Sequence, residues 1–205
     1  PSEKTIGRLS LCRSLLSRLL RQEVKTVFSH ELAVMAGGTA SQVRRDLMVI
    51  GGVGSPNRGY DVQRLIAAIG EVLDAEEPEH VALVGVGNLG GALLAFFANR
   101  RPKLRIVAGF DTDPFKTNRV LHGVRCYPMT DLERVIQEQR IRVGVITVPA
   151  AGAQEVADRL IRAGTQGLLN FAPVRLRVPS GIHVEDVDVT MSLEKVAYFA
   201  RQNSL

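Results

Sequence analysis

The stretch VALVGVGNLGGALLAFFA, Val81 to Ala98, runs for eighteen residues without a charge, the length a bilayer-spanning helix requires. Its glycines argue against that reading. Gly85, Gly87, Gly90 and Gly91 lie inside the run beside Asn88, and each glycine in a helix interior costs roughly 1 kcal/mol relative to Ala. Split in two, the run makes sense. Val81 to Val86 is a short, β-branched buried strand, Gly85-x-Gly87-x-x-Gly90 is a turn, and Leu89 to Asn99 is an amphipathic helix closed by Arg100, Arg101 and Pro102. In such a turn the first glycine permits the tight bend, the second lets a pyrophosphate approach the backbone, and the third lets helix and strand pack closely. The phosphates then sit on N–H groups at a helix N-terminus.

Glycine-rich turns are common, and a plain structural turn is the alternative. The next segment of the chain strengthens the nucleotide reading. Leu104 to Phe110 (LRIVAGF) is a second buried strand ending in Asp111, about twenty residues beyond the turn, where such units place the acid that bonds the ribose 2′-hydroxyl. Asp113 is a second candidate for that role.

Charge is distributed unevenly. Residues 1–64 carry ten Lys and Arg against five Asp and Glu, whereas residues 65–205 carry sixteen of each sign, so all of the net charge of +5 sits in the first third. That asymmetry points to a phosphate-bearing partner, with a solvated basic face as the alternative. Cys12 and Cys126 lie far apart with no CxxC or Cys/His cluster, which suggests neither a disulfide framework nor a zinc site. A reducing, cytoplasmic setting without a membrane segment is expected.

The first third reads as helices. Thr5 to Gln22 spaces Ile6, Leu9, Leu15, Leu16, Leu19 and Leu20 at intervals of three and four; a second helix begins near Ser29 as N-cap and stops at Gly37-Gly38. A third starts at Thr39, where Thr39-Ala-Ser-Gln42 has a capping-box pattern. On it Ala40, Val43 and Leu47 face inward, so Ser41, Gln42 and Arg45 point outward with Arg44 at the flank. These side chains suit base and phosphate recognition by a helix in a major groove. The glycine-rich segment Gly51 to Asp61, with Arg58 at its tip, resembles the wing of a winged helix-turn-helix domain, where an Arg reaches a minor groove or phosphate. A three-helix interaction domain is the competing reading. A further helix, Val62 to Ala75, runs into the acidic, proline-containing AEEPEH (Ala75 to His80), which marks a boundary.

Beyond the second strand the alternation continues. Gly123 to Tyr127, Val143 to Val148 and Gly167 to Asn170 read as strands, with helices at Leu132 to Gln139 and Ala151 to Ala163. The fold class is α/β with a parallel Rossmann sheet, and ligands bind at the carboxyl ends of its strands. Thr147 and Pro149 follow one strand end; Asn170, Phe171 and Ala172 follow another, although the prolines there could simply end strands. Catalytic equipment is not evident: no Tyr-x-x-x-Lys pair occurs, and the four His are scattered singly. A nucleotide domain of this kind suggests sensing. The apolar terminal helix, Leu193 to Gln202, is expected to pack on another subunit.

Together SQVRRDL, RGYDV, VALVGVGNLGGALL, GFDTDP, TVPAAGAQEVADRL, GLLNFAPVRLRVP and VEDVDVTMSLE resemble, over nearly the whole chain, the Rex redox-sensing transcriptional repressors of bacteria. That resemblance implies a winged helix (residues 1–78), a Rossmann NAD(H) domain (79–190) and a domain-swapped C-terminal dimerisation helix (191–205). It implies a homodimer that binds double-stranded operator DNA when NADH is low relative to NAD+ and is released by NADH. Arg44, Arg45 and Arg58 would contact DNA. Gly85, Gly87, Asn88, Leu89 and Gly90 would hold the pyrophosphate, Asp111 the adenosine ribose, and Thr147, Pro149, Asn170, Phe171 and Ala172 the nicotinamide side. Arg8 and Asp188 match an ion pair between domains. The chain departs at Phe96, where some relatives carry Tyr, and at Cys12, where an aromatic is usual. An apolar nicotinamide pocket would favour the neutral reduced ring over the oxidised cation. The runner-up is a small NAD-dependent oxidoreductase or CoA-type Rossmann subunit with a basic docking domain; a constitutive DNA-binding scaffold is a third reading.

Overall fold

The computed structural model describes residues 1–51, 54, 58–98 and 103–202. Arg100, Arg101 and Pro102, expected to close a helix, and the middle of the 51–61 segment lie outside these residues. The chain divides into two units, Pro1–Glu76 and Glu77–Leu205, within the acidic segment.

The first unit comprises α1 (Glu3–Arg21), β1 (Thr26–Val27), α2 (Ser29–Ala36), α3 (Ala40–Val49), β2 (Tyr60–Asp61) and α4 (Val62–Leu73). One stripe of α1, Leu9, Cys12 and Leu16, is buried with Leu32, Leu47, Leu65 and Ile69 in a common core. Ser29 is a buried first helical residue of α2 rather than its cap, and the Phe28 N–H donates to the Glu31 carboxylate at 2.7 Å. The helix ends at Gly37, whose φ of +66° brings the Gly38 N–H to the Ala33 carbonyl at 2.9 Å. Thr39 caps α3 by accepting from the Gln42 N–H at 3.2 Å. The other half of the expected capping box does not form, because the Gln42 amide turns along the helix to Asp46 at 3.0 Å. The described end of the 51–61 segment forms β2, which pairs antiparallel with β1, Thr26 opposite Asp61.

The second unit comprises β3 (Glu79–Val84), α5 (Asn88–Phe97), β4 (Leu104–Asp111), β5 (Val120–Leu121), β6 (Val124–Pro128), α6 (Leu132–Glu138), β7 (Val143–Ile146), α7 (Ala150–Ala163), β8 (Gly167–Asn170), β9 (His183–Asp186) and α8 (Val189–Gln202). The strands form one sheet in the order β5-β6-β4-β3-β7-β8-β9. All neighbours are parallel except β5, which pairs antiparallel with β6 at the edge. Alternation along β3 serves both faces: Ala82 and Val84 join Phe110, Leu132, Ile136, Val156 and Leu160 beneath α6 and α7, while Val81 and Leu83 join Leu94 of α5 on the other side. The chain runs outward from β3 through β4 to β6, then returns to lay β7 against the opposite edge of β3. That reversal opens a crevice at the carboxyl ends of β3, β4 and β7.

Helix α8 begins earlier than its apolar pattern suggests, because Asp188 accepts from the Met191 N–H at 2.7 Å and caps it. No residue of α8 is buried; Val189, Leu193, Val196 and Phe199 are among the large apolar side chains it exposes.

Candidate nucleotide and nucleic-acid sites

In the turn after β3 each glycine answers a different demand. Gly85 has φ +98°, and a Cβ there would lie 2.9 Å from the backbone carbon and oxygen of Thr147. At Gly90 a Cβ would collide with the Gly85 carbonyl, so turn and helix pack backbone against backbone. Gly87 meets no protein atom within 4 Å, and it borders the crevice. Its open space is where a phosphate can come down on the N-terminus of α5.

Asp111 holds the turn from the end of β4. Its buried carboxylate accepts from the Val86 N–H at 2.8 Å and from the Asp113 N–H at 2.9 Å, with the Lys116 ammonium at 3.4 Å. Lys116 also lies 3.6 Å from the Asp113 carboxylate. A carboxylate oxygen has more than one acceptor direction, so Asp111 retains capacity for ribose hydroxyls. From β7, the Thr147 hydroxyl donates to the Gly85 and Val84 carbonyls at 2.7 and 3.0 Å. Thr147 therefore ties the glycine turn to the neighbouring strand.

The crevice encloses about 440 Å³, within the range of small-molecule and cofactor sites. It brings together Gly85, Gly87, Asp111, Thr147 and Pro149 of the sequence-derived set. Thr147 and Pro149 line the same cavity as Asp111. Asn88 and Leu89 are exposed in the first turn of α5, and Gly90 is buried behind it. Asn170 is buried, and its amide is occupied within the protein: Nδ2 donates to the Ala172 and Val174 carbonyls and to the Asp186 carboxylate on β9, while Oδ1 accepts from the Ala172 N–H. It shapes the turn that carries the half-buried Phe171 and the buried Ala172.

Met129, Lys116 and one face of α7, Gly152, Glu155, Val156 and Arg159, also line the cavity. Sequence reasoning missed these residues, although the α7 set recurs at intervals of three and four, a helical stripe. Arg159 grips the Glu133 carboxylate with two bonds of 2.8 Å and the Met129 carbonyl with one of 2.6 Å. Its guanidinium holds the Glu133 carboxyl down to about 2. No group of three or more potential metal ligands occurs among the described residues, nor any helix long and apolar enough to cross a membrane.

In the first unit Ser41, Arg45 and Arg58 are exposed, while Arg44 is half-buried and its guanidinium donates to the hydroxyls of Ser29 and Ser41 at 3.2 and 3.3 Å. Gln42 is also half-buried, its amide nitrogen committed to Asp46. Asp46, 3% exposed, faces the core beside Val43 and Leu47. Arg8 reaches it from α1 with Nε at 2.6 Å and Nη2 at 2.8 Å, and this bond keeps the Asp46 carboxyl below its ordinary range. So Arg8, for which the resemblance implies an ion pair with Asp188, has an acid in its own unit, and Asp188 caps α8. Phe96 is half exposed on α5 and lies edge-to-face on Phe97, centroids 5.3 Å apart. Cys12 is buried beside Arg8 next to a cavity of about 40 Å³, and burial pushes its thiol up to about 11.

A helical unit with a basic exposed face, followed by a Rossmann-type sheet with a glycine turn and a buried acid at the end of its second strand, defines a nucleotide-binding protein with a DNA-binding module. Residues 2–47 match the family described as "Putative DNA-binding protein N-terminus", and residues 76–174 match the CoA binding domain family. The redox-sensing transcriptional repressor Rex of Syntrophobacter fumaroxidans is 41% identical over 195 residues, covering 95% of this chain and 93% of that protein. That of Carboxydothermus hydrogenoformans is 39% identical over 201 residues, covering 98% and 97%. The solved structure of RSP in complex with beta-NADH superimposes with a TM-score of 0.89 at 31% identity, covering 100% of this chain and 96% of that one. RSP in complex with beta-NAD+ and operator DNA gives 0.89 and 31%, covering 100% and 94%. The chain belongs to the Rex family of redox-sensing transcriptional repressors. These relatives are repressors, which displaces the oxidoreductase alternative.

Proposed function

We propose that this protein represses transcription by binding double-stranded operator DNA as a homodimer and that NADH, in the crevice of the second unit, releases it, NAD+ being compatible with the bound state. The observation that carries this reading is the full-length likeness to RSP, solved both with NADH and with NAD+ and operator DNA. The crevice supports it: an open Gly87 at a helix N-terminus for the pyrophosphate and a braced Asp111 for the ribose.

Residues 1–78 act as the winged-helix domain, 79–190 as the NAD(H) domain and 191–205 as a helix swapped into the partner subunit. The exposed apolar residues of α8 support the swap, because an isolated helix so apolar needs a covering surface. Arg45 and Arg58 make the leading DNA contacts with Ser41; Gln42 and Arg44 contribute from the flank. Gly85, Gly87, Asn88, Leu89 and Gly90 cradle the phosphates, Asp111 and Asp113 take the adenosine ribose, and Thr147, Pro149, Asn170, Phe171 and Ala172 form or support the remaining wall. Arg8, Phe96 and Asp188 couple the units, with Asp46 as the competing partner of Arg8.

Fluorescence anisotropy of a labelled palindromic A/T-rich duplex at fixed salt, titrated first with protein and then separately with NADH and NAD+, tests this. Release by NADH with little effect of NAD+ is expected. Binding indifferent to both nucleotides would sink the redox switch, and no binding would remove the repressor reading itself.

A further inference from the structure

The exposed stripe of α3 is not uniformly polar. Ser41, Arg45 and Met48 follow one another at intervals of four and three, so they lie on one line along the helix. Val43, Asp46, Leu47 and Ile50 occupy the opposite, buried side. Met48 is 74% exposed, and Val49 beside it is 46% exposed. A single exposed apolar residue on a protein surface requires no explanation. The position of this one does: it continues, without a break, the line of side chains on the helix that would enter DNA, where another charge or hydroxyl would be the soluble choice.

We propose that Met48, flanked by Val49, reads thymine through its 5-methyl group in the major groove; this rests on the DNA-binding reading above and specifies which base feature that helix recognises. At 1.5 Å rise per residue, Ser41 to Met48 spans about 10 Å, or roughly three base pairs at 3.4 Å each. A helix lying along the groove therefore sets Met48 over a base pair distinct from that facing Ser41. Only thymine presents a methyl group in the major groove, and apolar side chains recognise it by contact. An unbranched thioether side chain can follow the floor of the groove where a β-branched one cannot. The charge around it fits a polyanion: Arg45 lies on the same line, Arg44 flanks it, and the first 64 residues hold the chain's entire excess of positive charge.

The test begins with a duplex selected by the protein itself from a random pool. Each thymine is then replaced in turn by deoxyuridine, which deletes only the methyl group, and dissociation constants are measured at fixed salt for wild type, Met48→Ala and Arg45→Ala. Wild type should lose about fourfold at one or two thymines per half-site, the factor expected for one buried methyl group. Met48→Ala should bind the thymine duplex correspondingly more weakly and lose nothing further at those positions. Arg45→Ala should bind every duplex more weakly yet keep the full methyl penalty. The proposal fails if Met48→Ala retains that penalty or if no thymine methyl matters to wild type. Failure to select any duplex would instead bring down the DNA-binding reading beneath it.

Discussion

Gly85 and Gly87, two residues apart, should respond differently to the same added methyl group. At Gly87 nothing lies within 4 Å and φ is negative at −81°, so Gly87→Ala is unstrained in the fold. Its effect on stability should stay within about 0.5 kcal/mol, as for surface changes. In the proposed complex, however, the methyl group occupies the path of the pyrophosphate and separates it from the N–H groups of α5. Hydrogen bonds to charged groups contribute about 1.5–3 kcal/mol each, so losing one weakens NADH binding roughly 10- to 100-fold. Gly85→Ala differs in kind. Its φ of +98° disfavours any side chain, and the methyl group would sit 2.9 Å from the Thr147 backbone, which cannot rotate away. A left-handed strain of about 1–3 kcal/mol plus overpacking of similar size should lower both stability and NADH affinity. Urea unfolding gives the first quantity. The fluorescence of the reduced nicotinamide gives the second, without interference from tryptophan, which the chain lacks. Wild-type NADH affinity in Gly87→Ala would refute the placement of the phosphates, and an unperturbed urea midpoint in Gly85→Ala would refute the account of the turn.

Glu133, held down to about 2 by Arg159 from an ordinary 4.5, contributes stability that is present above pH 4.5 and disappears as the pH falls toward 2. Glu133→Gln should therefore lose less of its urea midpoint between pH 6 and pH 3 than wild type does; an equal loss would contradict the assignment. Cys12, pushed up to about 11 from 9.0 by burial, favours folding while it is a neutral thiol, so its contribution is intact below pH 9 and declines between pH 9 and 11. At pH 8 it should react with a disulfide reagent only after denaturant is added, and fast labelling of the native protein would show that the site is open. In the proposed homodimer, Phe199→Glu on α8 should shift the protein from dimer to monomer in sedimentation at micromolar concentration; an unchanged dimer would exclude this face from the subunit contact.

Much of the α/β unit could be read from the chain because local and tertiary signals coincide there. Val81–Val84 is apolar on both faces since both are covered, and the glycine turn advertises itself by residues that serve no other purpose. The features that escaped the sequence depend on crossings. The α7 face of the crevice became a wall only because the sheet returns to the other edge of β3, an arrangement that no local pattern encodes. The same applies to Asp46, which the sequence did not mark: an acid can occupy the inward phase beside Val43 and Leu47 because Arg8, thirty-eight residues earlier, reaches it. Asn170 was placed at a strand end from the sequence, yet its role depends on Asp186 of the adjacent β9, a strand whose HVED sequence carries no apolar run. Arg58 retained its expected exposure, while the strand near it found its partner in β1.

The close approach of Gly90 to the Gly85 carbonyl makes the glycine turn and α5 a single stiff lever. From Gly87 to Phe96 that lever is about 13 Å long at 1.5 Å per residue, so a tilt of about 5° at the phosphate end moves the other end by about 1 Å. Phe96 and Phe97 stand there, edge against face. In the proposed complex a nucleotide would not need to reshape the domain to be felt at a distance: slight seating of its phosphates on the N-terminus of α5 would move this aromatic pair at the other end of the same helix.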